Sequence, residues 1–304
     1  MGMLSRKNKL VLLKLASLFS VVRGYNILIL FIAQYLASIY ILAPNMPIRD
    51  IILDVNLFLL VIASTFAIAS GYLINNFYDA EKDLINRPHK TLLDNYISQK
   101  TKLAIYFTLN FLSVILASYV SFKAVIFFSV FIFFLWFYSH KLKKYPFIGT
   151  LVASLLAITP FFVVFVYYHN FDMVIFVHAT FLFLIISIRE LTKDLENLKG
   201  DLTQDYRTIP VVYGVKFSKI IISSLVALTL VPTLILIFKK FEIGYMHYYF
   251  LLSFILMITF LFFLWKSSSK LQYTLLHNLL KLIIVIGVFS ILLIDIDVVL
   301  NRVL

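Results

Sequence analysis

Long apolar stretches separated by short polar ones run from about residue 22 to residue 299. A helix needs about 20 mostly apolar residues to cross the hydrocarbon core of a bilayer. Nine stretches approach or reach that length: about 22–42, 52–76, 103–121, 124–140, 148–168, 172–190, 218–238, 246–265 and 279–299. The third and fourth are divided only by a polar break around Ser121 and Lys123, and the Phe-rich fourth is the shortest. The pattern predicts an all-α integral membrane bundle forming one domain over residues 1–304. The opening residues, with Arg6, Lys7, Lys9 and Lys14, resemble the start of a signal peptide. The apolar run that follows is long and lacks a small-residue cleavage site, so it reads as an uncleaved first span.

Composition agrees with a membrane protein. Hydrophobic residues make up 62% of the chain and charged residues 14%, against about 45–50% and about 25% in soluble domains. The absence of cysteine excludes thiol and disulfide chemistry. A net charge of +12 would suit nucleic acid, but no soluble module is present to carry such binding, and excess Lys and Arg in a membrane protein marks cytoplasmic loops. Of the 27 Lys and Arg residues, 22 fall on the N-terminal side of the spans. Arg49, Lys123, Lys239, Lys240 and Arg302 fall on the other, with Lys239 and Lys240 placed to snorkel from a span end. The N-terminus is therefore expected in the cytoplasm and the C-terminus outside, with the cell (inner) membrane as the location.

The acidic residues are unevenly placed. Asp79, Glu81 and Asp83 follow the second span, and Glu190, Asp194, Glu196, Asp201 and Asp205 follow the sixth, so eight of fifteen lie in two short stretches. Both emerge on the cytoplasmic side, four spans apart. That spacing suggests an internal repeat that sets the clusters face to face across the bundle. Asn75, Asp79 and Asp83 are spaced i, i+4, i+8 and form one stripe if the helix continues. Asp194, Asn197 and Asp201, at i, i+3, i+7, share a face, with Gly200 a candidate helix end. One such cluster is usually a set of solvated span-end charges. Two on one side, each with Asn and Asp at helical spacing, point to cation binding, and oxygen-only ligands favour Mg²⁺, Mn²⁺ or Ca²⁺ over zinc. His140, without a second His or Cys nearby, reads as interfacial, and Asp295 and Asp297 as solvated on the opposite face. No Gly-rich phosphate loop or zinc motif is present.

At these clusters the chain resembles the UbiA superfamily of membrane prenyltransferases. Asn75, Asp79 and Asp83 match its N-D-x-x-D-x-x-x-D motif, with Asn76 in place of the first Asp. The run Arg189-Glu190-Leu191-Thr192-Lys193-Asp194-Leu195-Glu196-Asn197-Leu198-Lys199-Gly200-Asp201 matches R-E-x-x-K-D-x-E-D-x-x-G-D, with Asn197 in place of an Asp. Asn86-Arg87-Pro88, Arg207-Thr208-Ile209-Pro210 and Tyr213-Gly214 fit familiar continuations. Tyr138-Ser139 with Lys141 or Lys143, then Pro146 and Gly149, look like Y-S-x-x-L-K-x-x-P-x-x-G-N, with Thr150 last. Arg23 and Asn26 resemble R-P-x-N, with Gly24 in place of Pro. The resemblance spans about residues 20–285, and its motif form is closest to the digeranylgeranylglyceryl phosphate synthase branch. The segment His89-Lys90-Thr91-Leu92-Leu93-Asp94 departs from the usual R-P-x-P-S-G.

The resemblance implies a bundle around a central apolar cavity and a Mg²⁺-dependent transfer of a geranylgeranyl group from its diphosphate to a lipid-soluble acceptor, geranylgeranylglyceryl phosphate. It makes Asn75, Asp79 and Asp83 ligands of one Mg²⁺ and Asp194, Asn197 and Asp201 ligands of a second. Arg23, Arg87, Lys141 and Lys193 become diphosphate partners, and Asn26 and Tyr138 substrate contacts. Several have plainer readings: Asn26 as an interhelical hydrogen bond, Tyr138 as an interfacial aromatic, and Lys141, Lys143 and Lys144 as anchors. An aromatic, quinone-pathway prenyltransferase would share both motifs. A cation-coupled transporter fits less well, since its carboxylates would lie near the midplane. No protein partner is expected.

Overall fold

The computed structural model describes residues 6–238 and 243–294. Nine helices among these residues are long and apolar enough to cross a membrane, and the chain is all-α. The helices are α1 (Arg6–Val21), α2 (Gly24–Ala37, continued by a π turn at Ser38–Leu42), α3 (Ile48–Ile52), α4 (Val55–Tyr78), α5 (Ala80–Asn86), α6 (Pro88–Asp94), α7 (Gln99–Val120), α8 (Phe122–His140), α9 (Ile148–Tyr168), α10 (Met173–Thr203), α11 (Ile209–Phe238), α12 (His247–Lys266) and α13 (Lys270–Ser290). Lys239, Lys240, Asp295, Asp297 and Arg302 lie outside the described residues.

Short polar side chains set the helix ends by satisfying amide groups left open in the first turn. Asp54 accepts from the amides of Asn56 and Leu57 at the start of α4, Ser98 from Thr101 in α7, and Asp172 from Val174 in α10. The polar break at Ser121 is one extended residue. It ends α7, and its hydroxyl accepts from the Ala124 amide to open α8. Ser269 and Gln272 form a reciprocal capping box at α13.

The spans fall where the apolar runs put them, although the sixth helix runs on to Thr203 and the ninth begins at Lys270, and three further differences stand out. Residues 6–21 form a separate helix, divided from α2 by Arg23 in the left-handed conformation (φ 52°). α1 exposes Leu12, Leu15 and Phe19 beside Lys9 and Lys14, a composition suited to the lipid–water boundary. The ring of Phe19 lies over Gly24, in the space that a β-carbon there would take. The loop after the second span is itself helical, as α5 and α6. The seventh span begins at Ile209 rather than 218 and bends at Gly214 (φ 83°).

Two large hydrophobic cores organise the bundle, with a small third one of Val21, Leu73, Ile74 and Tyr106 joining α1, α4 and α7. The first joins the end of α2 with α3, α4, α7, α8 and α9, and the second joins α10, α11, α12 and α13. α10 packs on α9 and on α5, and α2 on α13, which closes the two halves together. The helices that carry the acidic clusters, α4 and α10, are the most enclosed spans, at 61% and 50% buried. Their cytoplasm-predicted ends meet inside protein rather than in open solvent.

Candidate active site

The two acidic clusters converge. Asp79 ends α4 with non-helical dihedrals (φ −92°, ψ 4°), and the chain turns there into α5, which lies against α10. Asn75, Asp79 and Asp83 therefore do not form the single continuous stripe expected from their spacing. Past the turn, Lys82 comes back over the site. Lys82 Nζ lies 3.6 Å from Asp79 Oδ1 and 3.3 Å from Asp201 Oδ1, so one ammonium bridges the first cluster to the second. It also lies 4.1 Å above the Tyr206 ring.

Asp79 is buried and fully engaged. Its Oδ1 accepts from Lys143 Nζ at 2.7 Å and from the Tyr206 hydroxyl at 2.9 Å, and its Oδ2 accepts from Asn75 Nδ2 at 3.0 Å. Lys143 also donates to Asn75 Oδ1 at 3.1 Å. Burial alone would raise the Asp79 pKa, but the charges of Lys143 and Lys82 outweigh it and hold the carboxyl well below its usual range. Burial pushes Lys143 down to about 8, partly offset by Asp79. Burial, and then the charge of Asp79, raises Asp83.

Lys143, rather than Lys141, is the lysine of its segment that reaches the site. Lys141 is exposed, whereas Lys143 is buried on the single 3-10 turn Leu142–Lys144. Close packing and a backbone hydrogen bond hold this turn. A β-carbon on Gly149 would sit 3.1 Å from the Lys143 carbonyl, and the Arg207 amide donates to the Lys144 carbonyl at 2.9 Å. The same 204–208 loop carries Tyr206 to Asp79.

On α10 the helix runs unbroken through Gly200 to Thr203, so Asp201 approaches from a helix and not from a loop. Gly200 is there for close packing. Its amide donates to Asn86 Oδ1 at 3.2 Å, Asn86 Nδ2 donates to the Asn197 carbonyl at 3.3 Å, and a β-carbon at 200 would overlap the Asn86 side chain. Asp201 Oδ2 accepts from Thr208 at 3.2 Å. Asn197 Oδ1 is buried without a hydrogen-bond partner, and Asp201 Oδ1 is met only by Lys82. Half-buried Asp194 lines a small space with Tyr138, Lys143 and Glu190.

The remaining basic candidates gather elsewhere. Arg23, Arg87 and Lys193 line a second space with Lys90, Lys281 and His277. Arg87 pairs with Glu196 at 3.2 Å, and Lys193 with Glu190 at 2.8 Å. The Arg23 guanidinium lies 5.0 Å above Tyr72, whose hydroxyl accepts from Asn26 at 3.2 Å. Asn26 is thus an interhelical hydrogen bond that seats the ring under Arg23. His140 is exposed and stacks on Trp136.

Asn76, which stands where the family motif has Asp, turns away from the acidic centre. It accepts from the fully buried Lys102 at 2.8 Å and donates to Asp94 Oδ2 at 3.1 Å. Sequence reading missed His277, Lys281, Lys82, Lys102 and Tyr206. An i+3 lysine after Asp79 was a usable signal for Lys82; the others come from distant segments.

A third space, about 220 Å³, is apolar and lies between α2, α9, α10, α12 and α13. Phe161, Phe165, Phe181, Ile185, Tyr249 and Phe250 are among its lining. Ile185 is nine residues before Asp194 on α10, about 14 Å along the helix at about 1.5 Å per residue.

The profile of the UbiA prenyltransferase family matches residues 31–283. The chain is 30% identical over 239 residues to the digeranylgeranylglyceryl phosphate synthase of Methanobrevibacter smithii, covering 74% of this chain and 80% of that one. It is 29% identical over 234 residues to the enzyme of the same name from Thermococcus sibiricus, covering 77% and 81%. A solved structure of digeranylgeranylglyceryl phosphate synthase aligns with a TM-score of 0.68 at 23% identity, over 91% of this chain and 97% of that one. A UbiA homolog from Archaeoglobus fulgidus bound to GPP and Mg²⁺ aligns with a TM-score of 0.65 at 15% identity, over 90% and 99%. These structural likenesses establish the fold.

Gly200→Ala is expected to displace Asn86 and break both of its bonds to α10, at a cost of about 1–3 kcal/mol. Thermal unfolding in detergent measures this. Asn86→Gly combined with Gly200→Ala is expected to cost less than the two single changes added, because the clash is gone. Strict additivity would show that the two residues do not interlock.

Proposed function

Because the chain belongs to the UbiA prenyltransferase family and is a multi-pass membrane protein, we propose that it transfers a geranylgeranyl group from its diphosphate to geranylgeranylglyceryl phosphate, with Mg²⁺ as cofactor. The observation that carries this reading is the meeting of two acidic clusters across Lys82 on the helix that also lines the apolar cavity. A prenyl diphosphate has the same division, a charged head and an apolar tail. The relatives named for this reaction support the choice of acceptor.

The residues fit a hard cation. The donors are all oxygens, and one of them, Asn197 Oδ1, is buried without a hydrogen-bond partner, while Asp201 Oδ1 faces only the Lys82 ammonium at 3.3 Å. Among the described residues no three His, Cys, Asp or Glu side chains form a metal-holding group by themselves. That suits Mg²⁺, which commonly takes one or two carboxylates and completes its shell with substrate phosphates. Asn75, Asp79 and Asp83 would hold one ion, and Asp194, Asn197 and Asp201 a second. Bound there, Mg²⁺ neutralises charge on the departing diphosphate.

The chain's own groups do the rest. Lys143 and Lys82 already sit among the carboxylates as preorganised cations, and they turn to the diphosphate oxygens as the head enters. Tyr206 holds Asp79 in place, and Tyr138 closes the side of the small space that Asp194 lines. The aromatic lining takes the tail and keeps water from the allylic carbon. The charge split supports a cytoplasmic position for this end of the bundle.

With purified protein, Mg²⁺ and radiolabelled geranylgeranyl diphosphate, label is expected to move to geranylgeranylglyceryl phosphate and not to a naphthoate or benzoate. Excess chelator is expected to stop it and Mg²⁺ to restore it. Full turnover in chelator would remove the metal from the mechanism, and transfer to the aromatic acids alone would replace the acceptor.

Asp79→Ala and Asp194→Ala are each expected to lower kcat by about 10²–10³, with the double variant well short of the product of the two because the groups act as a unit. Lys143→Ala is expected to lower kcat severely, whereas Lys141→Ala should stay near wild type. Equal losses at 141 and 143 would put the wrong lysine at Asp79.

Cysteines introduced at Lys90 and Lys199 are expected to react with an impermeant maleimide from the cytoplasmic side only. Labelling of the two from opposite faces would exclude a shared site.

A further inference from the structure

The basic space described above, about 230 Å³, is separate from the acidic centre. The Lys193–Glu190 pair stands between them, with Lys193 lining one space and Glu190 the other. Five cations face the basic space: Arg23, Arg87, Lys90, Lys193 and Lys281. No carboxylate lines it among the described residues.

Three of these cations are balanced from behind. Arg87 pairs with Glu196, Lys193 with Glu190 and Lys90 with Asp94. Arg23 and Lys281 have no carboxylate within ion-pair distance among the described residues. Arg23 rests on the Tyr72 ring, and Lys281 donates only to Asn278 Oδ1 at 3.3 Å. Arg23 and Lys281 are therefore left over, and Glu190 is shared between Lys193 and Arg189, so positive charge exceeds negative around this space. A phosphate monoester carries about −1.5 to −2 at neutral pH and matches that excess.

His277 adds a second, independent indication. It is 3% exposed, and its Nδ1 lies 2.7 Å from Glu196 Oε2. An ionised carboxylate only accepts, so Nδ1 carries the proton and Nε2 presents a lone pair. That Nε2 is buried without a hydrogen-bond partner, on a residue that lines the basic space. Such a nitrogen calls for an O–H donor beside the anion.

We propose that this space is the acceptor headgroup site and takes a phosphate monoester with a neighbouring hydroxyl. The phosphate sits between Arg23 and Lys281, flanked by Arg87 and Lys193, and the hydroxyl donates to His277 Nε2. The identity of the lipid rests on the reaction proposed above; the phosphate-and-hydroxyl chemistry rests on this space alone. Arg23, Arg87 and Lys193 then serve the acceptor rather than the donor diphosphate.

Binding to the detergent-solubilised protein tests the site with three probes: geranylgeranylglyceryl phosphate, the same lipid without its phosphate, and geranylgeranyl diphosphate with Mg²⁺. The wild type is expected to prefer the phosphorylated lipid by about 10-fold or more, the scale of one or more charge-assisted bonds. Lys281→Met should remove most of that preference and Lys281→Arg restore it, with affinity for geranylgeranyl diphosphate held within about twofold as the control for folding. Methylating the hydroxyl should weaken binding to the wild type several-fold and leave His277→Ala unaffected. A preference that survives Lys281→Met, or an equal loss of diphosphate affinity, would overturn the site. A wild type that prefers the phosphorylated lipid but transfers nothing to it would support the site and overturn the proposed reaction. Transfer without any phosphate preference would do the reverse.

Discussion

A buried carboxylate is costly unless its charge is matched, and the architecture of one end of this bundle follows from matching Asp79. Four segments contribute: Asn75 from α4, Lys82 from α5, Lys143 from the turn before α9, and Tyr206 from the loop after α10. Each segment that moved away would strip a hydrogen bond or an ion pair from a charge in a low-dielectric setting. The requirement that makes the centre expensive also assembles it. It fixes the turn at Asp79, the seat of α5 on α10 and the closure of the two hydrophobic cores at that end.

The same logic accounts for two departures from the family pattern that sequence reading treated separately. Asn76 stands where an Asp is usual, and the segment after Pro88 has its own composition, ending in Asp94. The two side chains meet, with Asn76 donating to Asp94. An aspartate at 76 would set one carboxylate against another beside the buried ammonium of Lys102, with Lys90 already paired to Asp94. The amide donates to Asp94 and still accepts from Lys102. Ser17 and Ser20 of α1 also donate to Asp94, which moors the N-terminal helix over the site.

What could be read beforehand divides along physical lines. Spans depend on local apolar length, and the Asn/Asp clusters on local spacing, so both were legible. Where a helix breaks depends on what it must meet, and so Asp79 was placed inside a helix and Gly200 at the end of one. Lys141 and Lys143 have the same chemistry two residues apart, and only the geometry of a single 3-10 turn, held by Gly149 and Arg207, separates them. His277 and Glu196 are 81 residues apart, and no periodicity connects positions on different helices. The N-terminal helix was missed because its apolar residues face outward beside lysines, a pattern with too little hydropathy to register as a span.

The contact between Asn86 and Gly200 has a consequence for descent. Each residue belongs to a different acidic segment, 114 positions apart, yet the first fills the volume that the second leaves open. A larger residue at 200 requires a smaller one at 86, so neither segment drifts alone. Transplanting one segment from a cousin enzyme would succeed only if its partner travelled with it. A change in one stretch is therefore a change in the fit of the other, although the gene writes them far apart.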